Sequence, residues 1–350
     1  MKNKLFCVGM WSGLFVLSLM LIACSDTVMA SPLSLESPSS GLVMLGFLGL
    51  IVDKATIANV FISLKTTFQN AFDAAPNVWQ RIAMMVPSTT SKNDYSWLSN
   101  FPKMRKWVGD KFIKSLKAYN YTIINDDWEA TIEVDRNDIE DDQLAGYAMQ
   151  AQSAGQSAKQ LPDEIILDLV NNGFTNLAYD GQYFFDTDHE VAGASVANKI
   201  TTALSISTLS AAMASYGAAR TAMRKFKDDE GRPLNVNPDV LLVPPALEDV
   251  ANVLMTTERL EDGKPNPYKG TAQVVSDARL TSDTAWFLLD TTKPVKPFIY
   301  QERKAPVFVE QTGMDNDDVF SRKKLKMGAE ARAAGGYGFW QMAFGSTGAG

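Results

Sequence analysis

Residues 128–174 constrain the fold most, because their hydrophobic period changes from two residues to about 3.6. Residues 130–135 alternate apolar and polar, which is typical of a strand with one buried face. From Asp138 onward, apolar and small residues recur at three- and four-residue steps, which predicts a long helix with Asp138 as its N-cap. Pro162 is expected to divide this helix into two segments. The pattern therefore predicts a strand followed by a two-segment helical scaffold.

Two neighbouring segments near the start of that scaffold carry opposite charge. Residues 92–117 hold seven basic and two acidic side chains, whereas residues 126–142 hold nine acidic side chains and one basic. Opposite charge on neighbouring segments favours complementary surfaces, either within one subunit or between copies. The basic segment is also rich in aromatic residues: Tyr95, Trp97, Phe101, Trp107, Phe112, Tyr119 and Tyr121.

Binding of single-stranded nucleic acid could also use interleaved aromatic and basic side chains. No RNA-binding signature accompanies this segment, however, and the acidic stretch that follows would repel phosphate. The net charge of -7 at pH 7 also argues against sequence-independent nucleic-acid binding, which needs clustered Lys and Arg. We therefore interpret the segment as an extended hairpin whose aromatic residues are buried against another chain.

The first part of the chain resembles an export signal. Lys2 and Lys4 precede an apolar run over residues 5–23, and residues 21–24 resemble the lipobox of a bacterial lipoprotein signal peptide. Taken alone, this pattern predicts a lipid anchor on Cys24 and an envelope lipoprotein with a binding role. Cys7 and Cys24 are the only cysteines, so the remaining 326 residues offer neither a disulfide framework nor thiol chemistry.

The only histidine, His189, lies between Asp186, Asp188 and Glu190. This cluster could be a metal site or an acid-base centre, although its spacing matches neither an EF-hand nor a zinc-protease motif. We favour a polar turn in which the Asp side chains accept hydrogen bonds from backbone amides.

The remaining patterns indicate a mixed α and β chain. A helical stripe beginning at Thr56 is either a surface helix packed on the core or an arm packed on a neighbouring subunit. Residues 240–243 predict a buried strand, which leads through Pro244 and Pro245 into a helix. Residues 285–289 and 298–300 predict further strands. The alternation from Leu325 onward predicts a late strand that pairs with the acidic strand around Glu133.

Several motifs together resemble the Mu-like prophage major head subunit gpT family, collinearly from about Leu50 onward. They are VPSTT at 86–90, YSWL at 95–98, WVGD at 107–110, DIEDDQ at 138–143, YDGQ at 179–182 and FFDTDH at 184–189. The resemblance implies an α+β chain with the Hong Kong 97 phage-like major capsid fold. Its parts would be an N-terminal arm over 50–86, an extended loop over 87–128, a peripheral domain with a spine helix over 129–203, an axial domain over 204–305, and C-terminal strands over 306–350 that return to the peripheral domain.

The resemblance also implies a structural, non-enzymatic major capsid protein of a phage or prophage. Its copies would form hexamers and pentamers of an icosahedral shell around double-stranded DNA, without sequence-specific binding, cofactor or membrane. A scaffolding protein, a protease and a portal would take part in assembly, in the bacterial cytoplasm, and the product would be the virion capsid. The candidate subunit contacts are Lys103, Arg105, Lys106, Trp107, Asp138, Glu140, Asp141 and Asp142.

Residues 1–49 are additional to this resemblance. Export of a capsid subunit would remove it from the compartment where heads assemble. We therefore expect a start site placed too far upstream, with translation beginning near Met44 or Leu50, and Cys24 lipidated only if the signal is real.

Overall fold

The helices and strands are known for most of the chain after residue 53. The computed structural model describes residues 54–99, 121–141, 143–205, 208–228, 230–260, 262–313 and 316–349. In these ranges the α-helices are α1 (Lys54–Ala74), α2 (Trp79–Ile82), α3 (Arg136–Glu140), α4 (Ala145–Asn171), α5 (Leu209–Arg224), α6 (Pro245–Thr256) and α7 (Asp317–Arg322).

The strands in the same ranges form two larger sheets and two short hairpins. They are β1 (Ala83–Pro87), β2 (Lys92–Asp94), β3 (Thr122–Ile124), β4 (Asp126–Asp135), β5 (His189–Val191), β6 (Ala194–Val196), β7 (Lys199–Ile200), β8 (Val240–Val243), β9 (Gln273–Ser276), β10 (Trp286–Leu289), β11 (Phe298–Gln311), β12 (Lys324–Tyr337) and β13 (Ala343–Ser346). Helix and strand elements thus occur together, which agrees with the expected α+β class.

The first sheet has the strand order β1-β11-β12-β4. β12 pairs antiparallel with β4, and this register places Lys326 opposite Glu133 and Lys324 opposite Asp135. The Lys324 ammonium lies 3.1 Å from the Asp135 carboxylate. The predicted pairing of the late basic strand with the early acidic strand is therefore confirmed.

The long helix α4 is confirmed, but its predicted start and its predicted break are wrong. Asp138 lies inside α3, which is capped instead by Asp135, whose carboxylate accepts the backbone N–H of Asn137 at 2.9 Å. α4 begins only at Ala145, and it runs through Pro162 to Asn171. Proline removes one helical hydrogen bond. Packing on α1 and on the first sheet offsets that loss, because α4 is buried along most of its length.

Helix α1 packs against α4 of the same chain. Its apolar stripe is buried, with Ile57, Phe61 and Leu64 between 1% and 3% exposed. The two helices approach closely at Gly155, where a Cβ atom would lie far inside van der Waals contact with the Phe68 carbonyl oxygen. The interpretation of this stripe as a helix packed on the core is confirmed, because its apolar residues are buried within their own chain.

The second sheet has the strand order β7-β13-β10-β8-β9 and is covered by α5 and α6. The predicted strand, proline turn and helix are confirmed here: all four residues of β8 are buried, and Pro245 occupies the first turn of α6. β8 and β10 are buried on both faces, which accounts for their continuous apolar sequences.

The chain passes between the two sheets near its C-terminal end. Residues 298–300 begin β11 of the first sheet, whereas residues 343–346, after the long β12, form β13 of the second sheet. The chain leaves the first sheet at Gly338, whose backbone N–H bonds the Pro297 carbonyl at 2.8 Å. A side chain at this position would collide with the Lys296 carbonyl oxygen, so glycine permits the close approach.

Aromatic side chains join the two sheets. Phe184 lies with its ring centroid 4.5 Å from that of Tyr337 and 5.2 Å from that of Phe298, both in the first sheet. Phe185 lies 5.3 Å from Phe287 of the second sheet. The FFDTDH motif therefore supplies the apolar contact between the sheets, a role that the sequence pattern alone did not indicate.

A buried carboxylate connects α4 to two other parts of the chain. Asp163 is 1% exposed, and its Oδ1 accepts the backbone N–H groups of Val78 at 2.9 Å and Trp79 at 2.7 Å, at the start of α2. Its Oδ2 lies 3.7 Å from the guanidinium of Arg279, in the loop between β9 and β10. Asp163 thus joins α4, α2 and that loop at one point.

Candidate subunit-contact surface

Two short strands lie on either side of residues 100–120 and pair with each other. β2 and β3 pair antiparallel, with Lys92 opposite Ile124 and Asp94 opposite Thr122. Residues 100–120, and with them the candidates Lys103, Arg105, Lys106 and Trp107, lie outside the described residues. The described ends form the base of the predicted extended hairpin.

A buried network of polar side chains fixes the base of this hairpin to β11. Gln301 is fully buried, and its amide donates to the Ile123 carbonyl at 3.2 Å and to Asn125 Oδ1 at 2.8 Å. Its Oε1 accepts the Tyr95 hydroxyl at 2.7 Å. Asn125 in turn donates to Ser88 Oγ at 3.0 Å. One glutamine side chain therefore holds both strands at the hairpin base, because Tyr95 directly follows β2 and Ile123 lies in β3.

The aromatic residues at the hairpin base are buried within their own subunit. Tyr95 is 2% exposed and lies 6.5 Å from Tyr121 between ring centroids. Burial raises the pKa of Tyr121 to about 12, so its hydroxyl stays neutral at physiological pH. Of the three described aromatic residues Tyr95, Trp97 and Tyr121, Trp97 is the one that is exposed, at 37%. The expectation that these aromatics pack on another chain is therefore wrong for Tyr95.

Replacing Gln301 by alanine is expected to destabilise the hairpin base. The change removes the partner of the Tyr95 hydroxyl and of the Ile123 carbonyl inside the core, which should lower the free energy of unfolding by about 2 kcal/mol. Urea unfolding of the soluble subunit measures this difference. Gln311→Ala on the same strand is the matched control, since Gln311 makes no side-chain hydrogen bond to the described residues. Equal stability of the two variants would contradict the anchoring role.

The acidic candidates lie where α3 meets α4. Asp138 accepts the Tyr147 hydroxyl at 2.5 Å, and this bond raises the pKa of Tyr147. Glu140 is exposed and lies 3.1 Å from Arg136 on the same helix turn. Asp141 is exposed at the end of α3, and Asp142 lies outside the described residues. Asp138 is therefore committed to its own subunit, whereas Glu140 and Asp141 face solvent.

The acidic strand β4 lies at an edge of the first sheet in the described part of the chain, next to a groove on α4. This groove has a volume of about 590 Å³, and its floor includes Ile124, which is 64% exposed, and Trp128, which is 37% exposed. Three acids, Asp126, Glu164 and Asp168, lie on its lining. An exposed strand edge beside an acidic, partly apolar groove is suited to bind a basic segment that contains aromatic residues.

His189 takes part in neither a metal cluster nor a converging set of carboxylates. Within the described ranges, no group of three or more His, Cys, Asp or Glu side chains could hold a metal ion. Asp186 accepts the backbone N–H groups of Tyr183 at 3.2 Å and Thr187 at 2.8 Å, while Asp188 and Glu190 are exposed. The predicted polar turn is therefore found at Asp186, whereas His189 and Glu190 belong to β5.

No helix in the described part of the chain is both long enough and apolar enough to cross a membrane. Cys24, the possible lipidation site, lies outside the described residues.

Sequence reasoning missed Asp163 and Gln301, two buried side chains that connect distant parts of the chain. Asp163 occupies a position that faces the core in the helical stripe of α4, and Gln301 interrupts an apolar strand. A polar residue at a core position was the available signal, since such a residue must find hydrogen-bond partners inside the protein.

The chain matches one protein family over nearly all of its described residues. The sequence profile of the Mu-like prophage major head subunit gpT family matches residues 57–207, 205–280 and 272–349. The major capsid protein of Escherichia phage Mu is 32% identical over 294 residues, which cover 84% of this chain and 74% of that protein. The Mu-like prophage FluMu major head subunit of Haemophilus influenzae is 30% identical over 285 residues, which cover 81% and 70%.

A solved structure agrees with these sequence relatives. The procapsid of bacteriophage JBD30 contains a chain that is 30% identical and superposes with a TM-score of 0.54. The match covers 84% of this chain and 76% of that chain.

Proposed function

Because the chain belongs to the Mu-like prophage major head subunit gpT family, it is a structural major capsid protein of the phage head, and we propose below how its copies meet. The identity of 32% over 84% of the chain carries the assignment. The expected fold, the Hong Kong 97 phage-like major capsid fold, is confirmed by the likeness to the JBD30 procapsid subunit. Capsid subunits of this kind assemble into oligomeric shells, so the partner that matters most is another copy of the same chain.

Beyond this, we propose hexamers and pentamers that form an icosahedral shell around double-stranded DNA. Assembly would take place in the host cytoplasm with a scaffolding protein, a protease and a portal, and the subunit itself would catalyse no reaction. We also propose the division into arm, extended loop, peripheral domain, axial domain and returning strands given above. The net charge of -7 supports confinement of DNA by closure of the shell rather than by tight binding. None of the relatives named above is an envelope lipoprotein, so that alternative gains no support.

We propose that the basic hairpin segment of one subunit binds the acidic surface of a neighbouring subunit. The donor residues would be Lys103, Arg105 and Lys106 with Trp107, and the receiving residues Glu140, Asp141 and Asp142, with Asp138 in support. Exposure of Glu140 and Asp141 supports this proposal. Charge complementarity of this kind determines which partner binds and in which register, more than it determines how tightly the partner binds.

Reversing the three donor charges is expected to block shell assembly without unfolding the subunit. Lys103→Glu, Arg105→Glu and Lys106→Glu together would place like charges across the contact, and shell yield should fall by more than about tenfold. Sedimentation and electron microscopy measure shells, while circular dichroism measures the folded subunit. The matched control reverses three exposed charges at the end of α5, Arg224, Lys225 and Lys227, and should assemble normally.

A charge swap identifies the receiving surface. Glu140→Lys, Asp141→Lys and Asp142→Lys should impair assembly alone and should restore part of the yield when combined with the donor reversal. Failure of the combined variant to improve on either parent would contradict the pairing, and normal yield from the donor reversal alone would contradict the hairpin contact. The family assignment stands in either case.

A further inference from the structure

His189, the only histidine of the chain, is fully buried between three polar or aromatic partners. Its Nδ1 lies 2.7 Å from Asp180 Oδ2, and its Nε2 lies 3.2 Å from Asn198 Oδ1. Its ring stacks on Trp340 with centroids 4.0 Å apart and an interplanar angle of 8°. These contacts fix the ring in position and orientation, so its proton count decides which hydrogen bonds it can make.

The orientation of the Asn198 amide follows from its other partners. Nδ2 faces the carbonyl oxygens of Phe184 at 2.8 Å, Trp340 at 3.4 Å and Ala343 at 3.4 Å. Oδ1 accepts the backbone N–H of Asp186 at 2.8 Å. A flipped amide would point its oxygen at three carbonyls and its NH₂ at an N–H group. His189 Nε2 therefore faces an oxygen that can only accept a hydrogen bond.

His189 thus faces an acceptor at each ring nitrogen. Neutral imidazole carries one N–H and one lone pair, whereas imidazolium carries two N–H donors. Only imidazolium satisfies Asp180 and Asn198 together, and the stacked Trp340 ring stabilises a cation further. When the ring loses a proton, the carboxylate of Asp180 retains the remaining N–H, and the Nε2 lone pair then faces Asn198 Oδ1.

Asn198 holds one end of the second sheet together. Its side chain bonds the carbonyls of Trp340 and Ala343, and its backbone carbonyl accepts the Gly345 N–H at 2.9 Å. Ala343 and Gly345 belong to β13, which pairs with β7 just after Asn198. Repulsion at Asn198 would therefore loosen β7 and β13 where they meet the 176–198 segment.

Few charged groups surround the ring in the described part of the chain. Asp180, from the preceding turn, is the ionisable group that contacts it, and Asp186 next to it bonds backbone amides. Lys199 points to the Phe174 ring at 5.4 Å, and Asp188 and Glu190 are exposed. On the α5 side, Phe226 packs on Trp340, and Lys225 and Lys227 are exposed. The pair of His189 and Asp180 is thus the local charge-dependent contact.

We propose that His189 is a protonation-dependent latch: its imidazolium form holds Asn198 in place, Asn198 in turn attaches the 176–198 segment to β13, and this attachment loosens when the ring becomes neutral. This inference does not depend on the proposed hairpin contact between subunits. In a shell, opening the latch would loosen the second sheet of each subunit without breaking the first.

Asp180→Asn separates this proposal from a merely structural histidine. The introduced amide would keep an oxygen for the Gln182 N–H and would gain an N–H donor. Neutral His189 could then donate from Nε2 to Asn198 and accept at Nδ1 from the introduced amide, so that both contacts survive deprotonation. The variant should therefore lose the pH dependence while keeping the attachment.

Two measurements on full-length protein in shells test the latch. Because the chain has one histidine, ¹⁵N-histidine labelling gives one imidazole whose protonated nitrogens can be counted by NMR as the pH is raised. Hydrogen exchange of segments 184–200 and 338–347 reports the attachment, with β8 as the internal reference. Comparing both proteins at each pH cancels the intrinsic pH dependence of exchange.

The expected result is a ring with two protons at low pH and one at high pH. Protection of both segments in the natural protein should fall about tenfold across that titration, the effect of one lost hydrogen bond, while Asp180→Asn shows no such step. A singly protonated ring at every pH from about 5 to 10, an unchanging proton count, or titration without loss of protection would each overturn the latch. If Asp180→Asn does not fold, the natural protein alone still decides between these outcomes.

Discussion

Replacing Asp163 by alanine is expected to lower the free energy of unfolding by about 3 kcal/mol, the largest effect of any single change considered. The substitution leaves the N–H groups of Val78 and Trp79 without an acceptor in the core. It also removes the carboxylate that lies 3.7 Å from Arg279. Asp163→Asn keeps one acceptor oxygen for the two amides, so about half of this loss is expected.

Denaturant unfolding of the soluble subunit, followed by tryptophan fluorescence, measures the Asp163 effect. The chain has seven tryptophans, so the fluorescence reports unfolding of the subunit as a whole, and Trp79, buried beside the capped helix start, contributes to the signal. Glu164→Ala is the matched control, since Glu164 is the next residue of α4 and is exposed. If Asp163→Ala is as stable as Glu164→Ala, the Asp163 carboxylate does not join α4, α2 and the loop between β9 and β10.

Replacing Gly155 by alanine is expected to destabilise the subunit by about 2 kcal/mol, although alanine is the better helix former. The new methyl group would collide with the backbone of Phe68, which cannot rotate away as a side chain would. α1 must therefore shift along or away from α4, which opens the apolar seam formed by Phe61, Leu64 and Phe68.

Gly146→Ala supplies the opposite expectation on the same helix. Apart from its chain neighbours and the nearby backbone of its own helix, no described atom lies within 4 Å of the position of a Cβ at Gly146, so alanine there should be neutral or stabilising by up to about 1 kcal/mol. Thermal unfolding of the two variants side by side measures the contrast. Stabilisation by alanine at both positions would show that helix propensity, rather than the α1 contact, governs position 155.

The secondary structure that follows from periodicity was predictable, because burial imposes the period directly on the sequence. The stripe of α1 and the apolar run of β8 are examples. The pairing of β12 with β4 was predictable for a second reason. Lys324 and Lys326 alternate with buried residues on one strand, and Asp135 and Glu133 do so on the other.

Positions set by tertiary contacts were not predictable from local pattern. Asp138 has the chemistry of an N-cap, yet Asp135 comes first in the chain and caps α3, which leaves Asp138 to Tyr147. The exchange of sheets at Gly338 depends on a backbone contact with residues some forty positions earlier. For the contact surface, charge located Glu140 and Asp141, but the anchoring role of Gln301 depends on partners distant in sequence.

The position of β12 in the middle of the first sheet affects the order of events during synthesis. β12 lies between β11 and β4, and the residues of β4 that pair with it, from Asp135 back to Asp126, precede their partners Lys324 to Ala333 by 189 or more positions. A nascent chain therefore cannot complete this sheet until residue 337 has emerged from the ribosome, because β4 and β11 both pair with β12. A polypeptide that stops before Lys324 would lack the strand that joins β4 to β11. Truncated translation products are thereby prevented from folding into subunits that could join a growing head.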